Sequence, residues 1–311
     1  MSDVVAIKAH AKLNLALAVG APEPPTSAKP GYHPIVSWFS AIELADHLTV
    51  RRLAPGDRSR FSIRFAPDAP SPDAGKPANW PLELDLSFRA HALLEREARR
   101  PLPIDLTLTK HIPAGGGLGG GSSDAAATLL AIDRLYQLSL PASTLALLAA
   151  ALGSDVPFFL DEHNTPPRPA LVTGFGERIE RLPRRACGVV LVLPPFGVST
   201  AAVYKAFDKR PHLFSAGVGI PVVARTDLPI WRIQAGLDNS LAAPASGEVE
   251  PQLGHIAAHV RRETGMNLHL SGSGSTMFHL CDPNLVAEFT ARLQVAVAPF
   301  EGVRVGPYQL V

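Results

Sequence analysis

A glycine-rich stretch decides the fold of this chain: Pro113-Ala-Gly-Gly-Gly-Leu-Gly-Gly-Gly-Ser-Ser-Asp124. Before it, residues 104–109 alternate between apolar and polar, which predicts a half-buried strand. After it, residues 125–136 predict a helix, and Ser122 to Asp124 offer N-cap side chains. Glycines let backbone amides approach an anion, and a helix N-terminus favours negative charge. The stretch therefore predicts a phosphate-binding loop. A flexible linker is disfavoured because a strand and a helix flank the glycines so closely.

Three common phosphate-loop types do not fit this stretch. A Walker A loop needs a lysine directly after the glycines, and none follows here. Gly115, Gly117 and Gly120 match Gly-x-Gly-x-x-Gly, but a dinucleotide-binding fold starts with a strand that is apolar on both faces. It also needs an acidic residue about 20 residues further on, at the end of a second strand, and none stands there. A protein-kinase loop is excluded because no His-Arg-Asp or Asp-Phe-Gly follows.

Four other segments carry candidate chemistry, and each also has an ordinary structural interpretation. Asp155 follows a predicted helix among apolar residues, where it can accept a hydroxyl proton or serve as a turn residue. Lys12 and Asn14 share one face of a predicted strand, where a lysine is commonly a solvated edge residue. Ser271-Gly-Ser-Gly-Ser275 joins two predicted strands, as a hairpin turn does. Gly31-Tyr-His33 leaves a proline-rich loop and can hold a planar ligand or form a packed pair.

Composition excludes several classes of protein. With 311 residues, 46% of them hydrophobic and 18% charged, the chain is not disordered, and its length suggests two domains or one large α/β unit. Lys and Arg number 29 and Asp and Glu 28, so the net charge is +1. Such a balance provides no excess of positive charge to attract nucleic acid or an anionic membrane, so neither partner is expected.

The two cysteines, Cys187 and Cys281, are too few for a disulfide scaffold and form no Cys-x-x-Cys zinc motif. No protein metal site is therefore predicted. The chain shows no signal-peptide pattern, and its apolar runs fall short of the roughly 18 residues of a spanning helix. We therefore expect a cytoplasmic protein. The sequence leaves its oligomeric state open.

The remaining pattern predicts alternating strands and helices. Residues 5–19 predict β structure, as two short strands or one bent strand, and an apolar stretch at 35–53 carries a turn at Asp46-His47. Further strands are predicted at 156–160, 189–194 and 303–310. Helices are predicted at 82–100, 141–152, 254–263 and 284–295, and a hairpin joins 268–270 to 277–280. Prolines between 161 and 187 suggest a domain boundary.

Taken in this order and spacing, the segments resemble the GHMP small-molecule kinases. The resemblance runs from Ala9-His-Ala-Lys-Leu-Asn14 to Ser271-Gly-Ser-Gly274. Five motifs between these two segments carry it: Gly115-Gly-Gly-Leu-Gly-Gly-Gly-Ser-Ser-Asp-Ala-Ala126, Leu152-Gly-Ser-Asp-Val-Pro157, Gly31-Tyr-His33, Thr173-Gly-Phe-Gly-Glu177 and Pro195-Phe-Gly-Val-Ser-Thr200. It implies an α+β fold of two domains. The expected domains are a nucleotide-binding domain like domain 2 of ribosomal protein S5 at 1–165 and a ferredoxin-like, substrate-side domain at 166–311.

The resemblance also implies roles for individual residues. It makes Asp155 the catalytic base and Lys12 the lysine near the transferring phosphoryl group. The ATP phosphates would bind at Pro113, Gly115, Gly116, Gly117, Leu118, Gly119, Gly120, Gly121, Ser122 and Ser123. The acceptor would bind at Asn14, Tyr32, His33, Gly153, Thr200 and Tyr204. ATP is the implied phosphoryl donor, and Mg²⁺ is implied with it.

Within this family, the aromatic and imidazole side chains of Tyr32, His33 and Tyr204 favour an acceptor that carries a planar base. The implied reaction is ATP-dependent phosphorylation of the 2-hydroxyl of cytidine diphosphate methylerythritol, in the non-mevalonate route to isoprenoid precursors. The alternatives are a homoserine, mevalonate or sugar kinase of the same family and a catalytically silent nucleotide-binding sensor. This chain departs from the family at His10, where a proline is usual, and at Ala78-Asn79-Trp80-Pro81, where the family's adenine-pocket segment reads Asp-Asn-Leu-Ile.

Overall fold

The computed structural model of the protein describes residues 3–161, 165–215 and 228–311, and it mixes helices with antiparallel and parallel strands. Its strands are β1 (Val4–Val19), β2 (Ile35–Arg52), β3 (Arg60–Phe65), β4 (Ile104–Lys110), β5 (Ala170–Gly174), β6 (Arg178–Arg181), β7 (Gly188–Leu193), β8 (His269–Leu270), β9 (Met277–Cys281) and β10 (Arg304–Gln309). Its α-helices are α1 (Leu86–Ala98), α2 (Gly120–Tyr136), α3 (Ala142–Leu152), α4 (Thr200–Asp208), α5 (Ile230–Gly236), α6 (Ala242–Pro244), α7 (Pro251–Thr264) and α8 (Val286–Val297).

The chain forms two compact units that are not continuous in sequence. The first unit comprises Met1–Ala11, Leu44–Ala114 and Gly119–Pro167, and the second comprises Lys12–Glu43, Gly115–Leu118 and Arg168–Val311. The long strands β1 and β2 therefore contribute residues to both units. The sequence-based division into domains at 1–165 and 166–311 stays a prediction.

The first unit is a small sheet with helices α1, α2 and α3 packed against one another. Its sheet has the order β3-β4-β2, in which β4 is parallel to β3 and antiparallel to residues 47–52 of β2. Ile104, Leu106 and Leu108 are fully buried, so the predicted half-buried strand is confirmed. Asp85 caps α1 by accepting the backbone N–H of Ser87 at 2.9 Å.

The second unit contains an antiparallel sheet in the order β10-β7-β9-β8. Strand β7 is buried along its whole length, and α8 packs on β7 and β10. Residues 35–39 of β2 pair antiparallel with β5, which pairs with β6. The predicted buried strand at 189–194 and the predicted hairpin at 268–280 are confirmed, as is the α+β class.

Three local predictions are wrong. The predicted turn at Asp46-His47 does not form, because Asp46 stays inside β2 and accepts the N–H groups of His111 and Ile112. Helix α2 begins at Gly120, ahead of the predicted serine cap, after Gly119 adopts a left-handed conformation. Val156–Phe159 is a 3-10 turn with a proline in its first positions, and Pro157 supplies no N–H for the predicted strand.

Candidate active site

The segment Gly115–Leu118 of the glycine loop is turned so that its carbonyls face other segments of the second unit, to which it belongs. Each carbonyl from Gly115 to Leu118 accepts a hydrogen bond: from Val198 N at 3.3 Å, Thr276 N at 3.1 Å, Ser271 Oγ at 3.0 Å and Lys12 N at 2.9 Å, in that order. In a trans peptide the next N–H points the opposite way, so the amides of Gly116, Gly117 and Leu118 turn away from these donors. Successive amides of this kind make an anion-binding concavity.

Positive φ angles recur at every second residue of this loop. Gly115, Gly117 and Gly119 have φ of 70°, 74° and 68°. This alternation is the conformation in which neighbouring N–H groups converge on one anion. At Gly117 a Cβ atom would stand only 2.3 Å from the carbonyl oxygen of Ser271, so no larger residue fits without moving the loop. A glycine at position 117 therefore allows close packing against the Ser271 backbone, and the role of the loop in binding phosphate stays a prediction.

The second half of the predicted phosphate loop is the first turn of α2, in the first unit. Gly120, Gly121 and Ser122 occupy its first positions, where backbone N–H groups have no carbonyl four residues earlier in the helix. Ser123 N donates to Gly119 O at 2.9 Å. The side chain of Ser122 is half-buried, whereas Ser123 is buried. The helix N-terminus and its dipole favour an anion at this end.

Lys12 and Asn14 form a buried pair on one face of β1. Lys12 is 3% exposed, and its Nζ donates to Asn14 Oδ1 at 2.5 Å. Asn14 Nδ2 donates to Ser37 Oγ at 2.9 Å, and Ser37 Oγ donates to the carbonyl of Ala16 at 2.6 Å. The amide of Asn14 is thereby held with its oxygen toward the ammonium. The solvated edge position that a strand lysine commonly takes does not apply here.

The Ser-Gly-Ser-Gly-Ser turn connects this pair to the glycine loop. Ser271 Oγ accepts the backbone N–H of Asn14 at 3.2 Å and donates to the carbonyl of Gly117. A Cβ on Gly272 would stand 3.0 Å from Asn14 Oδ1, so the turn backbone passes directly over the amide. Thr200 Oγ1, at the start of α4, lies 2.8 Å from Ser273 Oγ. The turn is therefore a hairpin and also a support for three predicted site segments.

The rings of His33 and Tyr204 lie next to each other, with centroids 5.2 Å apart, and their roles in binding the acceptor stay predictions. His33 is nearly buried: its Nδ1 lies 2.8 Å from the carbonyl of Gly20 and its Nε2 lies 3.0 Å from Asp208 Oδ1. Both ring nitrogens therefore face oxygen atoms of the protein. The carboxylate of Asp208, 47% exposed, was not foreseen from the sequence.

Tyr32 stands apart from this pair. Its side chain is 63% exposed, and its ring meets the edge of Phe175 at 6.3 Å between centroids. Lys29 Nζ lies 4.5 Å from the centroid of the same Phe175 ring. Phe175, in the predicted Thr-Gly-Phe-Gly-Glu motif, is thus the aromatic neighbour that the sequence did not assign to Tyr32.

Asp155 and Gly153 belong to the first unit. Gly153 ends α3, and Asp155 is the half-buried residue directly before the 3-10 turn Val156–Phe159. All four residues of that turn are buried, so the carboxyl group has the apolar flank that the sequence predicted. Such an environment is compatible with a base that accepts a proton from an alcohol.

A buried charge cluster missed at the sequence level joins the two ends of the phosphate loop in the first unit. Lys110 Nζ lies 2.5 Å from both Asp46 Oδ2 and Asp124 Oδ2. Asp46 Oδ1 also accepts the N–H groups of His111 at 2.5 Å and Ile112 at 2.8 Å. Burial alone would lower the pKa of Lys110, but the carboxylates of Asp124 and Asp46 outweigh it, and the pKa is raised.

Strand parity is the signal that could have found this cluster. Lys110 continues the inward face of Leu106 and Leu108, and Asp46 continues that of Leu44 and Leu48. Two ionisable residues at inward positions of neighbouring strands predict a buried pair. Asp124 Oδ1 has no hydrogen-bond partner among the described residues, so the ammonium is this side chain's principal stabilising contact.

The described residues contain no group of three or more His, Cys, Asp or Glu side chains able to hold a metal ion. Within the same described ranges, each helix is too short or too polar to cross a membrane.

Comparison with known proteins identifies first the class of protein to which the chain is similar. Residues 85–162 match the family model described as the N-terminal domain of GHMP kinases. Solved structures with the same fold include a homoserine kinase from Cytophaga hutchinsonii (TM-score 0.64, 14% identity, 100% of this chain and 95% of that one). A mevalonate kinase from L. major gives a TM-score of 0.65 at 14% identity, over 100% of this chain and 97% of that one. At that identity the likeness concerns the fold alone.

More similar relatives define the particular family. The 4-diphosphocytidyl-2-C-methyl-D-erythritol kinase of Pelotomaculum thermopropionicum is 35% identical over 94% of this chain and 93% of the relative. The enzyme of the same name from Bacillus subtilis is 34% identical over 88% and 86%. A crystal structure of a 4-(cytidine 5'-diphospho)-2C-methyl-D-erythritol kinase has a TM-score of 0.73 at 30% identity, covering 98% of this chain and 99% of that one. The chain therefore belongs to the 4-diphosphocytidyl-2-C-methyl-D-erythritol kinase family of GHMP kinases.

Proposed function

We propose that this protein is the ATP-dependent kinase that phosphorylates the 2-hydroxyl of 4-diphosphocytidyl-2-C-methyl-D-erythritol. The observation that carries the proposal is the 35% identity to a kinase of that name across 94% of the chain. The test is ATP consumption with this acceptor, homoserine and mevalonate in parallel. Turnover with the cytidine compound alone supports the proposal, and preferential turnover with either other acceptor overturns it.

The chemistry follows from the loop geometry. In phosphoryl transfer, catalysis is mainly positioning and stabilisation of charge on the transferred group. The amides of Gly116, Gly117 and Leu118 and the first turn of α2 would bind the ATP phosphates. Lys12 would neutralise charge on the transferring phosphoryl group, and Asp155 would accept the proton of the acceptor hydroxyl.

The site fits Mg²⁺ bound with the nucleotide. Mg²⁺ commonly keeps few protein ligands and is held largely by substrate phosphates, so a hydroxyl beside the phosphate loop can complete its coordination. Of the two predicted serines, Ser122 is the better ligand because its side chain is half-buried while Ser123 is buried. When bound, the ion would neutralise phosphate charge.

Replacing Gly117 by alanine tests the loop. The new Cβ would stand 2.3 Å from Ser271 O, so the loop backbone must shift. A displacement of about 1 Å in a positioning element can lower kcat/KM by about 100-fold, and we expect that loss together with weaker ATP binding. Gly247→Ala is the matched control, because a Cβ there meets open space. Unchanged ATP affinity in folded Gly117→Ala, measured by calorimetry, would show that the loop has only a structural role.

Replacing Tyr204 by alanine tests the cytosine site. A base stacked on an aromatic ring gains about 1–3 kcal/mol by alanine substitution in nucleic-acid sites. We therefore expect affinity for the cytidine substrate to fall roughly 5- to 150-fold, while the KM for ATP stays within about twofold. His33→Ala should in addition reduce the preference for cytidine over uridine analogues in kcat/KM, because it removes the imidazole that contacts Gly20 O and Asp208 Oδ1 at the proposed base site. If wild type shows no such preference, the cytosine assignment is wrong.

A further inference from the structure

The ammonium of Lys12 lies over the face of an aromatic ring. Its Nζ is 4.5 Å from the centroid of Phe39, well inside the roughly 6 Å range of cation–π attraction. Both residues are buried: Lys12 is 3% exposed and Phe39 is 1% exposed. The attraction between an ammonium and a ring face is strongest where both are withdrawn from water.

Strands β1 and β2 pair with each other, and their side chains build this contact. Lys12 and Asn14 share one face of β1, and Ser37 and Phe39 share one face of β2. Asn14 bonds to Ser37, and Lys12 lies over Phe39, so the pairs run in opposite directions as they do between antiparallel strands. Ser37 fixes the amide that accepts from the ammonium, while Phe39 contacts the ammonium itself.

We propose that Phe39 is a positioning residue for the kinase reaction, holding the Lys12 ammonium in place through the face of its ring. The inference rests on the proposed function, because it takes Lys12 as the group that neutralises phosphoryl charge. A lysine side chain is a flexible four-carbon stem, so the position of its ammonium depends on the groups that contact it. The ring is one such group, and it attracts the charge without engaging an N–H in a directional hydrogen bond.

The test separates ring electrostatics from packing. Mono-, tri- and pentafluorophenylalanine placed at position 39 withdraw electron density from the ring face with little change in volume. We expect the single-turnover rate of phosphoryl transfer to fall stepwise with fluorine content, reaching about a 5- to 30-fold loss, while the KM for ATP stays within about twofold. Phe39→Leu should lose a similar factor. The matched control is the same fluorinated series at Phe278, a fully buried ring in the same unit whose neighbour is His269.

A transfer rate that does not respond to fluorination at position 39, or that responds equally at position 278, overturns the proposal and makes Phe39 a packing residue. The fluorinated series keeps this outcome measurable even where Phe39→Leu fails to fold. A second readout is independent of turnover: the Lys12 side-chain methylene protons should be shifted upfield by the ring current in wild type and lose that shift in Phe39→Leu. Loss of the shift in Phe39→Leu would show that the Lys12–Phe39 contact exists. If wild type were at the same time inactive on the cytidine substrate, the proposed function would be wrong although the contact is present.

Discussion

An Asp155→Asn variant is expected to lose about 10²- to 10⁴-fold in kcat while still binding ATP and the cytidine substrate. Removal of a general base typically has an effect of this size, because proton transfer from the acceptor hydroxyl is no longer assisted. Asparagine keeps the shape of the side chain before the buried turn Val156–Phe159, so folding should be preserved. The measurement is kcat, with both ligand affinities determined separately by calorimetry.

Ser154→Ala provides the matched control for this experiment, because Ser154 is the exposed neighbour of Asp155 on the same connection. Its kcat should stay close to that of wild type. An Asp155→Asn enzyme within tenfold of wild type would exclude Asp155 as the base.

Replacing Lys110 by methionine should destabilise the protein by about 3–5 kcal/mol. Removing one partner of a buried ion pair leaves an uncompensated buried charge, and here the carboxylates of Asp46 and Asp124 would both lose the ammonium that lies 2.5 Å from each. The free energy of unfolding, from urea denaturation, is the quantity to measure. Lys76→Met is the control: its ammonium pairs with Asp73 at an exposed position, and such pairs contribute about 0–1 kcal/mol.

A double variant separates charge from packing in this cluster. Lys110→Met with Asp124→Asn removes one of the two carboxylates that the single variant leaves unpaired, so it should recover part of the lost stability. If the double variant is less stable than Lys110→Met alone, loss of packing rather than unpaired charge explains the effect.

The glycine loop was predictable because its signal is local. Gly115 to Gly121 are adjacent in sequence, and a strand before them and a helix after them already define an anion-binding geometry. The predicted start of α2 is too late because serines are favoured N-cap residues, whereas Gly119 in a left-handed conformation precedes the helix in the structure. Local patterns identify such an element more reliably than its first residue.

The supporting contacts were less predictable because their partners are distant in sequence. Lys110 and Asp46 are 64 residues apart, and Thr200 and Ser273 are 73 apart. Parity along the strands would have placed Lys110 and Asp46 inward, but it does not say which strands are neighbours. Asp208 sits at the end of α4, and only the folded chain brings it to His33. The residues that belong to motifs could therefore be predicted from the sequence. The residues that hold them in place could be identified only once the pairing of the strands was known.

The long path of the chain has a consequence for its synthesis. Asn14 bonds to Ser271, which is 257 residues further along. At about 5–20 residues per second of translation, the strand that carries Lys12 leaves the ribosome about 13–50 s before this partner exists. During that interval β1 and β2 lack the partners in the second unit that are synthesised later. Both strands are long and largely apolar. Yield of active enzyme should therefore respond to growth temperature and chaperone supply more than to the stability of the finished fold.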